Sequence, residues 1–158
     1  GYEISKNQDF IEISEIGVNY FKNILHILKK NKSGLLLIDY GYDNLKMENT
    51  LQAIVNHKYS DILKKIGHSD ITHHINFYHL KKIVNQFKNL QSDLTTQRSF
   101  LLKLGIKERA EIISKNHDFI KKADIYYRLK RLVDKKEMGD LFKVMMVRNK
   151  KNKFKLGF

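Results

Sequence analysis

The chain has 158 residues, contains no cysteine and carries a formal charge of +13 at pH 7. This length fits one domain with a real core, and the absence of cysteine excludes disulfides and thiolate metal sites. No apolar run approaches the roughly 20 residues of a membrane span, and no signal-peptide pattern opens the chain, so we expect a soluble intracellular protein.

Lysine supplies most of the positive charge, because only five of the 30 basic residues are arginine. Base-edge readout and phosphate forks favour arginine, so nucleic acid is a disfavoured partner. The richness in Lys, Asn and Ile is typical of an AT-rich genome. The densest basic stretch covers residues 148–155. We predict that residues 149–158 form a basic tail, which could bind an anionic partner.

The amino-terminal residues predict an edge hairpin followed by a helix. Apolar and polar residues alternate at 3–5 and again at 11–14, and the chain opens with Gly1, so it reads as a fragment. From Ser14 to Lys30, apolar residues recur at helical spacing, with Ser14 placed to cap the helix.

The run 34–42, Gly-Leu-Leu-Leu-Ile-Asp-Tyr-Gly-Tyr, is the most informative stretch. Its apolar part lacks polar alternation, which predicts a central strand of a parallel sheet covered on both faces. A buried helix would look alike, but the preceding helix and short loop favour α/β alternation. Asp39, Tyr40 and Gly41 would then lie at the carboxyl end of the strand, where ligands gather. Equally, Asp39 could cap a turn and Gly41 supply a positive φ.

The remaining pattern predicts mostly helices. Asn76 is placed to cap a helix with an apolar stripe from Phe77 to Phe87, and 90–99 is ambiguous between helix and strand. The other predicted helices are 50–55, 59–66, 100–104, 106–114 and 116–133, and a second apolar strand is predicted at 141–147. Two or three strands between long helical insertions make an incomplete sheet, which is typical of an α/β chain that lacks part of its fold.

Polar side chains cluster between the two predicted strands. Four histidines suggest a metal site, but no third ligand or second shell is evident, so surface or capping roles are expected. The segment 67–77 is a candidate substrate-side loop, although Asp70 and Thr72 could be ordinary turn and cap residues. The sequence contains no nucleophile elbow, P-loop or G-x-G-x-x-G turn. The histidines are His68, His73, His74 and His79.

Ordered motifs run through residues 10–148. They are Glu-Ile-Ser at 12–14 before a helix, the run 34–41, Asn-Thr-Leu-Gln-Ala at 49–53 with His-Lys at 57–58, Gly-x-x-Asp-Ile-Thr-x-His-Ile-Asn-Phe at 67–77, Thr-Gln-x-x-Phe-Leu-x-x-Leu-Gly-Ile-x-x-Arg at 96–109, and Met-Gly-x-Leu-Phe-Lys-Val at 138–144. In this order the chain resembles the carboxy-terminal half of the MidA-like family, the S-adenosylmethionine-dependent protein-arginine methyltransferases that act as respiratory complex I assembly factors.

The resemblance implies a seven-stranded Rossmann-like methyltransferase fold, S-adenosylmethionine as cofactor and a protein arginine, in a complex I subunit, as substrate. The product would be symmetric dimethylarginine, made by an in-line transfer that depends mostly on positioning. The compartment implied is the bacterial cytoplasm or the mitochondrial matrix. Asp39 and Tyr40 are the best candidates to line the guanidinium pocket as catalytic residues. Weaker substrate-binding candidates are Gly41, Asp70, Thr72, His74 and Gln97.

The chain also departs from the family. The Gly-rich cofactor turn and the acidic strand end for the ribose belong to an amino-terminal half that this sequence lacks, and Asn76 stands where an acid is expected. We therefore expect residues 1–148 to be the carboxy-terminal half of a truncated or split enzyme, with weak cofactor binding unless a separate amino-terminal half is present. The alternatives are a basic module that binds nucleic acid or an acidic protein through its tail, and an inactive remnant. An exposed sheet edge also predicts self-association.

Overall fold

The computed structural model describes residues 4–158, which form a mixed α/β fold with two sheets. The first sheet has the order β5-β1-β7-β6 and the second the order β3-β2-β4. The predicted α/β class is therefore confirmed. The elements are α1 (Glu15–Lys30), β1 (Gly34–Tyr42), β2 (Gln52–Val55), β3 (Lys58–Ser60), β4 (Asp70–Thr72), β5 (Ile75–Asn76), α2 (Phe77–Asn85), β6 (Leu90–Thr96), α3 (Gln97–Lys103), α4 (Ile106–Ser114), α5 (Phe119–Val133), α6 (Met138–Leu141) and β7 (Phe142–Asn149).

Strand β7 lies between β1 and β6 and runs antiparallel to both. The parallel partner of β1 is β5, which pairs with it only at Gly41 and Tyr42. The expectation that β1 lies in a parallel sheet is thus wrong for its longest pairing, which is the antiparallel one with β7. An apolar run reports burial and carries no information about the direction of the neighbouring strand.

Helices α1 and α2 cover one face of the first sheet. Leu25 of α1 and Phe77 of α2 are fully buried and belong to one cluster with Met145 and Val147 of β7. The predicted caps are confirmed, since Ser14 Oγ accepts from the Gly17 amide and Asn76 Oδ1 from the Tyr78 amide.

The opposite face of β1 is partly open. Leu36 and Ile38 are 42% and 48% exposed, so the expectation that both faces are covered is wrong. On its outer edge, β1 has no strand partner from Gly34 to Tyr40 within residues 4–158. The apolar run therefore has more surface to bury than these residues cover.

Residues 50–66 fold differently from the prediction of two short helices, which is wrong. Strands β2 and β3 pair as an antiparallel hairpin, and Asn56 and His57 at its turn have φ values of 49° and 62°. A two-residue turn with two positive φ values suits a β-hairpin and favours Asn at the first position. The β-branched Ile54 and Val55 fit the strand.

The predicted edge hairpin at the amino terminus is also wrong for the residues that the structure describes, and residue 3 lies outside them. Residues 8–14 form no strand. The backbone of Met47 pairs with a side chain instead, since its amide donates to Gln8 Oε1 at 2.8 Å and its carbonyl accepts from Gln8 Nε2 at 3.0 Å. Short alternation without a partner strand does not make a sheet edge.

The carboxy-terminal residues fold back onto the domain. Arg148 is 1% exposed, and its guanidinium donates to Asp93 Oδ2 on β6 at 2.7 Å and to the Asn152 carbonyl at 2.8 Å. The Phe158 ring packs 5.3 Å from the ring of Phe100. Arg148, on β7, thus connects β6 with the segment that follows β7. Among residues 4–158, no helix has both the length and the apolar composition needed to cross a bilayer.

We expect Arg148→Ala to lower the free energy of unfolding by about 1.5–3 kcal/mol, because it removes a buried side chain with its charge-assisted hydrogen bond to Asp93, which is itself 34% exposed. The double variant Arg148→Leu/Asp93→Leu should lose less, since no charge is left unpaired. Urea unfolding followed by circular dichroism measures both. Arg128→Ala is the matched control, because its pair with Asp124 is exposed and worth about 0.5 kcal/mol. Equal losses for the Arg148 and Arg128 variants would contradict this role.

Candidate functional site

One edge of the first sheet gathers most of the candidate side chains. Since β1 and β6 run in the same direction and β7 runs against them, β1 and β6 end where β7 begins. In register, Asp39 lies opposite Lys143 and Tyr40 opposite Phe142. We call this the carboxyl edge. Gln97 follows β6 directly and so belongs to it.

Asp39 is exposed at the carboxyl edge. Its Oδ1 accepts a hydrogen bond from the amide of Tyr40 at 2.8 Å, which is the local role that the sequence left open. Its cross-strand neighbour is the cationic Lys143. A carboxylate has capacity for further donors, so this bond leaves Asp39 able to accept from a guanidinium.

Tyr40 extends to the sheet face opposite that of Asp39, because successive strand residues alternate. Its ring lies 4.1 Å from the Phe142 ring with an interplanar angle of 38°. The ring of His74 lies 6.1 Å away on a nearly parallel plane, at 13°. Asp39 and Tyr40 can therefore flank the same ligand only where it crosses the carboxyl edge.

Lys143 is the half-buried cation at this edge. Burial lowers the pKa of its ammonium group below 10.5, while the nearby carboxylates of Asp140, Asp43 and Glu48 raise it in part. Its Nζ donates to the carbonyl of Asp140. We call Asp43, Glu48 and Asp140 the acidic rim. Asp43 also pairs with Lys81 at 2.6 Å.

Gly41 is required by close packing. A Cβ on Gly41 would lie 2.5 Å from both the Ile75 carbonyl oxygen and the Phe77 ring. Its φ is outside the positive range, so the suggestion that it supplies a left-handed turn is wrong. Asn76 fixes the adjacent loop by donating from Nδ2 to the Asn44 carbonyl at 2.9 Å.

The other candidates are held in structural contacts. Thr72 Oγ1 accepts from Gln52 Nε2 at 3.0 Å, within the second sheet. Gln97 is buried and donates to the Leu132 carbonyl of α5 at 3.0 Å. Asp70 is exposed at the start of β4. Only His74 of this group contacts Tyr40, and a substrate role for the four remains a prediction.

The four histidines are dispersed. His73 Nδ1 lies 3.1 Å from Glu12 Oε1, His74 stacks on Tyr40, and His79 packs edge-on against Tyr78. His68 lies in the exposed turn before β4. In the part of the chain that the structure describes, no three His, Asp or Glu residues are placed to hold a metal ion.

Sequence reasoning did not select Phe142 and Lys143 as site residues. They open an apolar strand and precede its buried part, which is an ordinary pattern for a strand start. Only the register of β7 with β1 places them beside Tyr40 and Asp39. Asp140 likewise reaches the site through the one-turn helix α6 that leads into β7.

Residues 2–96 match the model of a protein family described as "Putative S-adenosyl-L-methionine-dependent methyltransferase". Among curated relatives, the mitochondrial protein arginine methyltransferase NDUFAF7 of Danio rerio is 29% identical over 114 residues, which are 72% of this chain and 26% of that protein. The human protein of the same name is 28% identical over 108 residues, covering 68% of this chain and 24% of the relative. The chain thus spans about a quarter of their length.

Two solved structures share the fold. A protein from Burkholderia thailandensis superposes with a TM-score of 0.79 at 22% identity, covering 96% of this chain and 43% of that one. A second structure from the same organism, solved with S-adenosyl-homocysteine bound, gives a TM-score of 0.72 at 23% identity, covering 92% of this chain and 38% of the other. The described residues therefore adopt the arrangement found in part of those longer chains.

We expect the pKa of Lys143 to lie below 10.5, because burial disfavours its charged form. The folded state then binds fewer protons than the unfolded state between the lowered pKa and 10.5, so this group makes stability rise with pH across that window. Asp140→Asn should lower the pKa of Lys143 further, since it removes the largest stabilising charge. Side-chain NMR titration measures this, and a Lys143 pKa at or above 10.5 in the unsubstituted chain would contradict it.

Proposed function

Because this chain belongs to the MidA-like family of S-adenosyl-L-methionine-dependent methyltransferases, we propose that it forms the substrate-side part of a protein arginine methyltransferase. Residues 1–148 belong to the methyltransferase domain, and 149–158 form the basic segment that closes it. The substrate is a protein, in this proposal a complex I subunit, and the compartment is the mitochondrial matrix or a bacterial cytoplasm. The curated relatives carry the words "protein arginine methyltransferase" and "mitochondrial" in their names, which supports these choices.

The observation that carries the proposal is the chemistry of the carboxyl edge. The carboxylates of the acidic rim already stabilise the charge of one half-buried cation, the ammonium of Lys143. Asp39 lies beside it in register, and the Tyr40 ring is stacked at the same strand end. Carboxylates in bidentate geometry and aromatic faces are the two groups that hold a guanidinium. A substrate arginine would find both here.

The residues that the structure describes do not by themselves make a nucleotide cradle. The glycines of the chain occur singly, and no G-x-G-x-x-G turn is present in the sequence. The cofactor therefore needs further residues, from the same polypeptide or another. The open outer edge of β1, from Gly34 to Tyr40, supports such an addition, because an exposed strand edge is a template for a further strand.

The roles proposed for this chain are binding and orientation. Asp39 accepts from the guanidinium and turns one of its nitrogens outward from the carboxyl edge. Tyr40 restricts the plane of the group by stacking, as planar cations lie on aromatic faces. Both roles lower the entropy cost of reaching a reactive geometry, which is the main source of acceleration in a direct transfer.

Calorimetry with S-adenosylmethionine tests whether cofactor binding requires the amino-terminal part in addition to this chain. The 158-residue chain alone should give little or no heat, because it lacks a Gly-rich turn for the cofactor. The chain mixed with, or joined to, the Gly-rich amino-terminal part of a family member should bind the cofactor with a measurable Kd. No heat from the combined protein, with both parts folded by circular dichroism, would contradict the proposal.

In that combined protein, Asp39→Asn should weaken binding of an arginine peptide about tenfold, because a charge-assisted hydrogen bond contributes about 1.5–3 kcal/mol. Tyr40→Leu should weaken it about threefold through loss of stacking, by about 0.5–1 kcal/mol at an exposed site. Peptide affinity and methyl transfer are measured together. Asp124→Asn is the control, since Asp124 is exposed on α5 and pairs with Arg128. Asp39→Asn behaving like Asp124→Asn would remove Asp39 from the site.

A further inference from the structure

The connection between α4 and α5 exposes large apolar side chains at one end of a helical hairpin. Phe119 and Ile120, the first two residues of α5, are 84% and 79% exposed. Ile112 and Ile113, in the last turn of α4, are exposed as well. All four lie within one helical turn of the connection. We call residues 112–122 the hairpin tip.

The hairpin tip is a well-formed structure. Asp118 caps α5, with its Oδ1 accepting from the Lys121 amide at 2.8 Å. The His117 amide donates to the carbonyl of Ser114 at 3.1 Å, which closes the turn. The Ser114 hydroxyl lies 3.5 Å from the Tyr126 hydroxyl and joins the two helices. The apolar side chains are thus presented to solvent by a fixed backbone.

The hairpin tip also contains basic residues. Lys115, Lys121 and Lys122 lie close in sequence to its apolar residues, and residues 106–133 contain eight Lys and Arg against four Asp and Glu. Helix α5 has no fully buried residue, so most of its surface is available. Exposed aromatic and aliphatic side chains beside lysines are the pattern of a segment that lies in the interface of an anionic bilayer.

The position of the hairpin argues against coverage by a cofactor-binding part. Helices α4 and α5 pack chiefly on each other and on α3 and α6. Helix α3 follows β6, the edge strand at the opposite side of the sheet from β5. An addition at the open edge of β1 extends the sheet away from β6. Another exposed apolar segment, residues 59–66, leads instead into β4 and the β5 side.

We propose that the hairpin tip is a peripheral membrane contact, with Phe119 and Ile120 inserted among the headgroups of an anionic bilayer and the adjacent lysines paired with lipid phosphates. The occupant is the lipid surface itself. This orientation holds the domain at the surface of a membrane. The proposal is independent of methyl transfer, because it concerns a surface outside the carboxyl edge.

Vesicle co-sedimentation of the 158-residue chain tests the contact. Binding should be clear with vesicles of phosphatidylcholine and phosphatidylglycerol and at least about tenfold weaker with phosphatidylcholine alone, as each lysine near an anionic surface contributes about 1 kcal/mol. Phe119→Ser/Ile120→Ser should reduce anionic-vesicle binding about tenfold or more, because buried apolar side chains contribute about 1.5–3 kcal/mol each. Lys121→Gln/Lys122→Gln should reduce it about tenfold.

The matched control is Leu63→Ser/Ile66→Ser, since these side chains are 78% and 77% exposed and lie in a lysine-containing loop away from the tip. It should leave vesicle binding within about twofold, a change of about 0.4 kcal/mol. Equal losses of vesicle binding for Phe119→Ser/Ile120→Ser and Leu63→Ser/Ile66→Ser would overturn the proposal in favour of non-specific hydrophobic adsorption. All variants should keep the wild-type melting temperature, because the replaced side chains are exposed or, at Lys122, only partly buried.

Insertion can be read directly, because the chain has no cysteine to compete for a label. An environment-sensitive fluorophore on Phe119→Cys should shift to the blue on anionic vesicles and be quenched by lipids with a nitroxide in the acyl chain. The same label on Leu63→Cys should show neither change. A single-stranded RNA serves as the competing polyanion. RNA binding that depends on Lys121 and Lys122, with no blue shift at position 119 on vesicles, would overturn the membrane contact in favour of nucleic acid.

Discussion

The antiparallel pairing of β7 with β1 is the constraint on which the other contacts of this fold depend. It joins two strands from opposite ends of the chain over the full run from Gly34 with Arg148 to Tyr40 with Phe142. The same strand pairs on its other side with β6. All three strands therefore share one register, and the ends of β1 and β6 meet the beginning of β7. Loss of β7 would disrupt the core, because Met145 and Val147 belong to the core cluster. It would also remove Phe142 and Lys143 from the candidate site.

Strand β7 also explains why the carboxy-terminal residues are part of the domain. Arg148 is buried between Asp93 and the Asn152 carbonyl, so its charge is compensated on both sides. Asn149 donates from its side chain to the carbonyls of Leu28 and Lys29 at the end of α1. The lysine side chains that follow give the segment its charge, while its contacts with the domain come from other side chains and from the backbone, as where the Lys150 amide donates to the Asn89 carbonyl. Composition at a terminus therefore says little about whether the segment is a free tail.

The exposed surfaces differ in what they require. Leu36, Ile38 and the unpaired edge of β1 combine apolar area with free backbone groups, which a further strand satisfies together. The hairpin tip has no strand edge and offers chiefly side chains, because it consists of two helix ends and the turn between them. The backbone groups of an unpaired strand edge are satisfied by another polypeptide strand, whereas exposed apolar side chains among lysines suit a fluid anionic surface. One domain can therefore present a protein-facing side and a lipid-facing side without conflict.

Strong local patterns were enough for the helices around the core. The caps at Ser14 and Asn76, the break at Gly105 and the strand that begins at Gly34 all follow from short-range chemistry, and each is present. Residues 50–66 were assigned wrongly because the turn at Asn56 and His57 is decided by a pairing between strands, which helical spacing can imitate over a few residues. The edge hairpin predicted from the amino-terminal alternation is wrong because, within residues 4–158, no strand pairs with these residues.

Periodicity and capping are local properties, so they are sufficient to predict the α/β class, the elements around the core and the position of Asp39 and Tyr40 near a strand end. The ordered motifs also determined the family, since their spacing survives without the fold. The fold decided instead that Phe142, Lys143 and Asp140 join Asp39 and Tyr40, and that Gly41 is a contact point for Ile75 and Phe77. Those relations join segments that are distant in the chain, and no local pattern encodes a register between distant segments.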